Sequence, residues 1–278
     1  MIYVVDSPKY IIYNGGRFEK TGKIIIIFFC IFKEMRVLVR IYGVKIPKSP
    51  GVNYHEALNR LSEERRNRTL RFVRKDDRIR SVIAEALVRT LFLRDHQVDN
   101  ESLRFTVNSY GKPSLAAYPD YHYNLSHSGD YVLCAVDSRP SGIDVEEIKP
   151  IDLTIADRFF SGAENRQIRE IPKDRRIGYF YQLWTAKESY IKFRGNGLSM
   201  PLNSFSIRID DDHIELSEQD GCLVQEPDCY FKAFEISPQY KATLCSESPN
   251  HPGTIEWMDC LDLFKKFVEV SGGNYATR

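Results

Sequence analysis

Residues 178 to 198, Gly-Tyr-Phe-Tyr-Gln-Leu-Trp-Thr-Ala-Lys-Glu-Ser-Tyr-Ile-Lys-Phe-Arg-Gly-Asn-Gly-Leu, constrain this chain more than any other stretch. They read as one helix. Phe180, Leu183, Trp184, Tyr190 and Ile191 recur at helical spacing, and Gly195 and Gly197 follow where the apolar pattern ends. One stripe of this helix must face a core. Glu188 lies four residues after Trp184 and four before Lys192, so the three side chains stack on successive turns of one flank. Taken alone, Glu188 and Lys192 read as an ordinary surface salt bridge. A second segment, Gly142-Ile143-Asp144-Val145-Glu146, changes that reading. As a strand it sends Ile143 and Val145 to a core and projects Asp144 and Glu146 together from the other face. Two carboxylates about 7 Å apart on one strand face repel unless something cationic lies between them. The motif by itself also fits a solvated edge strand. With Glu188 it offers three carboxylates and no His/Cys cluster, a donor set suited to a hard ion such as Mg²⁺.

The rest of the composition excludes more than it proposes. The 278 residues can bury a large core, and 39 basic against 38 acidic side chains give a net charge of +1, so nothing global points to nucleic acid or a membrane. The six cysteines form no Cys-x-x-Cys pair, and reduced thiols in a cytoplasmic protein are the simpler reading. The apolar run at residues 24 to 32, between Lys23 and Lys33, is far short of the ~20 residues a transmembrane helix needs. Lys-Glu-Met-Arg follows it where a signal peptide would carry a small-residue cleavage site. Because the resemblance to a known family carried by the motifs at 142–146 and 178–198 begins at about Met35, residues 1–34 are expected to be a misassigned or non-native N-terminal extension, with the first lobe starting at Met35.

In chain order, the Val37, Val39 and Ile41 run reads as a strand ending before Pro47, and residues 55–74 as a helix or helix pair with Ser62 as N-cap. Between Arg60 and Arg80 nine basic residues face four acidic ones, either a solvated helix face or an anion site. Ile79, Val82, Ile83, Ala86, Leu87 and Leu91 mark an amphipathic helix ending near His96, followed by a strand at 103–107 and a turn at Tyr110-Gly111-Lys112-Pro113. Residues 123–136 read as a β-hairpin with Ser126 and His127 near its turn. The order helix, strand, hairpin then recurs over 178–194, 203–209 and 230–245. A lone His beside a turn is commonly a structural hydrogen-bonder. The expected fold is α+β, with two pseudo-symmetric similar lobes, 35–148 and 149–246, and the active site in the cleft between them. Residues 247–278 are expected to be a tail with a short helix at 256–269 and a disordered Gly-rich end.

The two motifs at 142–146 and 184–192, about forty residues apart, stand with Arg-Phe-Phe-Ser at 158–161 and Gly-Leu-Ser-Met-Pro-Leu-Asn-Ser-Phe-Ser at 197–206. In these the chain resembles the 4′-phosphopantetheinyl transferases of the surfactin-synthetase-activating type, from about Met35 to about Cys245. The resemblance implies a monomeric enzyme that moves the phosphopantetheine arm of coenzyme A to a serine of apo acyl or peptidyl carrier protein domains, in nonribosomal peptide, polyketide or fatty acid synthesis. It implies Mg²⁺ held by Asp144, Glu146 and Glu188, with Glu188 also taking the serine proton and Lys192 neutralising the pyrophosphate. Arg65, Arg68, Arg80, Lys112, Ser126 and His127 match positions that contact the coenzyme A phosphates. Arg65 and Arg68 stand where relatives carry Lys, and a guanidinium fork is not a Lys equivalent. Lys192 and the metal are expected to hold the Glu188 pKa down, and the carboxylates to contribute little to folding. A Mg²⁺-dependent hydrolase or nucleotidyltransferase acting on another diphosphate, and a non-catalytic binder that kept the fold, are the alternatives.

Overall fold

The computed structural model describes residues 39–48, 54–211, 213–217 and 229–271. The chain divides into two compact units, Met1–Val37 and Leu38–Arg278. The first unit, and with it the expected extension, lies outside the described residues, as does the Gly-rich end after Ser271.

The second unit is mixed α+β. One sheet is built from β1 (Arg40–Lys45), β4 (His122–Ser128), β5 (Tyr131–Asp137) and β11 (Glu256–Met258) in the order β11-β1-β5-β4. A second contains β6 (Ser141–Glu147), β9 (Tyr230–Phe234) and β10 (Tyr240–Ser246) in the order β6-β10-β9. Two small hairpins, β2 (Phe105–Val107) with β3 (Pro113–Leu115) and β7 (Ser206–Asp210) with β8 (His213–Ser217), stand apart from them. The helices are α1 (Tyr54–Asn59), α2 (Glu63–Leu70), α3 (Lys75–His96), α4 (Ala156–Phe159), α5 (Gly162–Glu170), α6 (Arg176–Arg194) and α7 (Cys260–Ser271). Ser62 caps α2 as its sequence implies, its hydroxyl accepting from the Arg65 amide.

Strand alternation decides which face of each sheet meets what. Tyr42, Val44, Val132, Cys134 and Val136 of the first sheet form one core with Val82, Leu87 and Leu91 of α3. Ile41, Leu133 and Ala135 on its other face meet Ile143, Val145, Ala242 and Leu244 of the second sheet. A third core joins Phe180, Leu183 and Tyr190 of α6 to Phe160, Phe205 and Ile207. Ile143 and Val145 therefore point into the core between the sheets, as alternation demands. Asp144 and Glu146 take the other face of β6.

Residues 256–271 do more than the expected tail. β11 pairs in parallel with β1, Tyr42 opposite Glu256, while Leu263, Phe264 and Phe267 of α7 join the core around α3.

Lys187, one residue before Glu188, is wholly buried. Its ammonium donates to Glu164 Oε1 at 2.5 Å and to the Phe205 carbonyl at 2.7 Å. Glu164 closes a capping box with Ser161 at the start of α5 and accepts the Ile207 amide at 2.7 Å. Burial lowers the Lys187 pKa to about 8, with Glu164 opposing the shift. One buried pair thus ties α5, α6 and β7 together. Lys187→Met strands the Glu164 carboxylate in the core and is expected to cost about 3–5 kcal/mol in urea unfolding. A loss below ~1 kcal/mol would show that the pair contributes little.

Candidate active site

Gly142 lets α6 sit directly on β6. A Cβ there would run into the Ser189 carbonyl oxygen and the Phe193 amide nitrogen, and would lie 2.9 Å from the Lys192 carbonyl carbon. The helix backbone occupies the place of a side chain. This contact brings the flank bearing Glu188 and Lys192 over the strand face bearing Asp144 and Glu146.

Lys192 does not pair with Glu188, as the i,i+4 spacing suggested. Its Nζ lies 2.7 Å from Asp144 Oδ1 and 3.1 Å from the Ile143 carbonyl oxygen. Asp144 is 4% exposed, and its Oδ1 also accepts from Ser126 Oγ at 2.9 Å. Its Oδ2 is buried with no hydrogen-bond partner.

The edge of β6 that faces β4 is satisfied by side chains. Asn124 Oδ1 accepts the Ile143 amide at 2.8 Å, Ser126 Oγ the Val145 amide at 3.2 Å, and Ser128 Oγ the Glu147 amide at 3.1 Å. Alternate residues of β4 share a face, and alternate amides of β6 share an edge, so one register serves all three. Ser126 and Ser128 each use the same oxygen twice. They accept a backbone amide and donate to a carboxylate, Ser128 to Glu146 Oε2 at 2.8 Å. Ser128 was missed in the sequence, although its i+2 spacing from Ser126 on a strand was the available signal. Ser128→Ala frees Glu146 and orphans a backbone amide. The expected results are ~1–2 kcal/mol lost in unfolding and transfer reduced about 10–100-fold; transfer at the wild-type rate would remove Ser128 from the site.

Burial raises the Glu146 pKa, with the Asp144 charge adding to it; Ser128 and Lys192 oppose, and Glu188 raises it further. Burial likewise raises Glu188, followed by Asp144, and Lys192 only partly opposes. Lys192 acts on Glu188 in the expected direction, but with its ammonium turned to Asp144 it does not by itself outweigh burial and the Asp144 charge. Glu188 itself makes no hydrogen bond or ion pair among the described residues. The charges of Asp144, Glu146 and Glu188 are thus coupled, with Lys192 the cation that opposes the rise in Glu146 and Glu188.

As the side chains lie, no group of three or more His, Cys, Asp or Glu among the described residues is gathered to hold a metal ion. Asp144 leans to Ser126 and Lys192, Glu146 to Ser128. The donor chemistry nevertheless fits a divalent cation, because an orphaned buried carboxylate oxygen and two carboxyls held above their ordinary range all lack positive charge.

The six other residues singled out by resemblance are dispersed in their contacts. Arg80 donates to the Gly129 carbonyl at 2.9 Å and to Asp77 at 2.6 Å. His127 is exposed by surface area, yet its ring sits deep enough that burial lowers its pKa, helped by the charges of Arg80 and Lys192. It stands within electrostatic reach of both α3 and α6. Arg68 is exposed on α2. Arg65 is engaged elsewhere, its Nε 3.0 Å from Glu85 Oε2 in an ion pair too bent for a hydrogen bond. Ser126 serves Asp144. Lys112 Nζ lies on backbone carbonyls, 2.6 Å from that of Lys192.

Comparison with known proteins identifies the family. The family model described as the 4′-phosphopantetheinyl transferase superfamily matches residues 140–245, and that of the 4′-phosphopantetheinyl transferase N-terminal region matches 49–139. The chain is 41% identical over 231 residues to 4′-phosphopantetheinyl transferase Sfp of Bacillus subtilis, covering 81% of this chain and 100% of that protein. It is 33% identical over 210 residues to 4′-phosphopantetheinyl transferase gsp of Aneurinibacillus migulanus, covering 75% and 86%. A solved holo-(acyl-carrier-protein) synthase from Bacillus anthracis aligns with 38% of this chain and 93% of its own at 18% identity, but its TM-score of 0.33 is too low to bear on the fold. No helix among the described residues is long and apolar enough to cross a membrane. The matches span both sequence motifs and the whole length of a relative, and the chain belongs to the Sfp-type 4′-phosphopantetheinyl transferases.

Proposed function

We infer that this chain transfers the 4′-phosphopantetheine arm of coenzyme A to a serine of an apo carrier protein domain, at the face of β6 covered by α6. The observation that carries the reading is Asp144, buried with one oxygen on Lys192 and the other without a partner, beside Glu146 and Glu188. Asp144, Glu146 and Glu188 would hold Mg²⁺. When bound, it supplies positive charge against the pyrophosphate oxygens.

The chain's own groups do the remainder. The serine oxygen attacks the phosphorus that carries pantetheine, the bond to the bridging oxygen breaks, and adenosine 3′,5′-bisphosphate leaves with that electron pair. Glu188, unpaired and with a raised proton affinity, accepts the serine proton. Lys192 already donates to Asp144 and can share its remaining donor with a phosphate oxygen. His127 is within electrostatic reach of Arg80 and Lys192, and Arg68 is exposed on α2; these three, Arg80, His127 and Arg68, are the proposed contacts of the coenzyme A phosphates. The recurrence of helix, strand and hairpin in α3 to β5 and in α6 to β10 supports two similar lobes with the site where they meet. β6, which pairs with β10 and lies under α6, joins the second lobe rather than closing the first, so the division falls before Ser141 and not at 148. A monomeric, cytoplasmic enzyme fits this reading.

Release of adenosine 3′,5′-bisphosphate tests it. Release should require the apo carrier, stop on chelation with EDTA and resume with added Mg²⁺. Equal release without carrier would identify a hydrolase instead.

A further inference from the structure

We infer that Lys112 is a positioning residue that pins the end of α6 to the start of β6, and so sets Lys192 and Glu188 against Asp144 and Glu146. The inference rests on the transferase reading. By resemblance Lys112 should touch a coenzyme A phosphate, but its surroundings give the ammonium a different task. Nζ lies 2.6 Å from the Lys192 carbonyl oxygen and 3.4 Å from those of Phe193 and Ser141. An ammonium has three N–H donors, and three carbonyls use them all. Two of these carbonyls belong to the last turn of α6, where a helix leaves acceptors unpaired and carries negative partial charge. The third opens β6, one residue before Gly142.

The loop that delivers Lys112 is shaped for this seat. Asn108 Oδ1 accepts the amides of Tyr110 and Lys112, each at 2.9 Å, and Asn108 Nδ2 donates to the Gly195 carbonyl at 3.0 Å. Gly195 ends α6 in the left-handed region at φ 72°, and a Cβ there would lie 3.1 Å from the Lys112 side chain. Gly197, at φ 53°, is approached as closely by the Tyr110 carbonyl. The turn between β2 and β3 is therefore docked on the C-terminus of α6 by Asn108 and Lys112 together. A phosphate could take the ammonium only by displacing it from the helix.

The test compares the wild-type chain with Lys112→Met and Asn108→Ala. Asn108→Ala undocks the same loop without removing the ammonium, and serves if Lys112→Met does not fold. Two readouts are needed: kcat against KM for coenzyme A with an apo carrier, and binding of Mn²⁺ to the free protein by electron paramagnetic resonance. A positioning role predicts that both variants lose about 10–100-fold in kcat and bind Mn²⁺ more weakly, with KM for coenzyme A within about twofold of wild type. A rise in KM in Lys112→Met alone, with kcat and Mn²⁺ affinity unchanged, would make Lys112 a phosphate contact and overturn the inference. Unchanged values in both variants would overturn it equally. Absence of transfer by the wild-type chain would instead sink the transferase reading, while the Mn²⁺ comparison would still decide the role of Lys112.

Discussion

Glu188→Gln is expected to lose on the order of 10²–10⁴-fold in turnover while coenzyme A affinity and unfolding stay close to wild type. The split follows from what the side chain touches. Glu188 has no hydrogen-bond or ion-pair partner among the described residues, so the amide strands nothing when it replaces the carboxylate. Burial and Asp144 already disfavour its charge, so removing that charge leaves stability level or slightly higher at neutral pH. Gln keeps one oxygen that can face a cation but cannot accept the serine proton. Single-turnover transfer, coenzyme A titration and urea unfolding on the same protein check all three parts. Equal losses in Mg²⁺-dependent coenzyme A binding and in transfer would leave Glu188 as a metal ligand only, with the proton acceptor to be sought elsewhere.

Asp144 differs, and corrects the expectation that all the carboxylates are indifferent to folding. It is buried, accepts from Ser126 and Lys192, and sits opposite Thr243 in the β6–β10 register. Asp144→Ala would leave a half-buried ammonium unpaired, so loss of activity in that variant mixes chemistry with stability. Glu188→Gln is the cleaner substitution.

Gly142→Ala is expected to damage both the fold and the reaction through a single methyl group. The atoms in its way are backbone, the Ser189 oxygen and the Phe193 nitrogen, which cannot rotate aside as a side-chain tip can. α6 must lift from β6 or the strand must bend, and overpacking of this kind costs ~3 kcal/mol or more. A shift of about 1 Å between the Lys192 flank and the Asp144 face is enough to lower transfer ~10²-fold. Urea unfolding and transfer rates should fall together. Wild-type values for both would mean that α6 does not rest on this glycine.

Much of this was legible in the sequence because it is periodic. The apolar spacing in 178–194 gave α6 within two residues of its start, and alternation in 142–146 sent Ile143 and Val145 to the core and the carboxylates to the other face. Ser62 announced its helix. The failures share a cause: they depend on what stands across from a residue. Nothing along the chain says that Lys192 reaches back to Asp144, that Arg65 is taken by Glu85, or that Lys112 closes a helix. Nothing in the helical spacing marks Lys187 for burial, and only the meeting of α5 with β7 at Glu164 shows why it is buried. The segment after Ser246 was undervalued because Glu256, Trp257 and Met258 gain their strand character from β1, which lies over two hundred residues earlier.

The central claim is that the Asp144, Glu146, Glu188 and Lys192 group transfers phosphopantetheine to a carrier serine, and the intact mass of the carrier tests it most directly. After incubation with coenzyme A, Mg²⁺ and the wild-type chain, an apo acyl or peptidyl carrier domain should gain the mass of one phosphopantetheine group, located to its serine by peptide mapping, and should gain none with Glu188→Gln in the same time. A carrier of unchanged mass while coenzyme A is consumed would contradict the account.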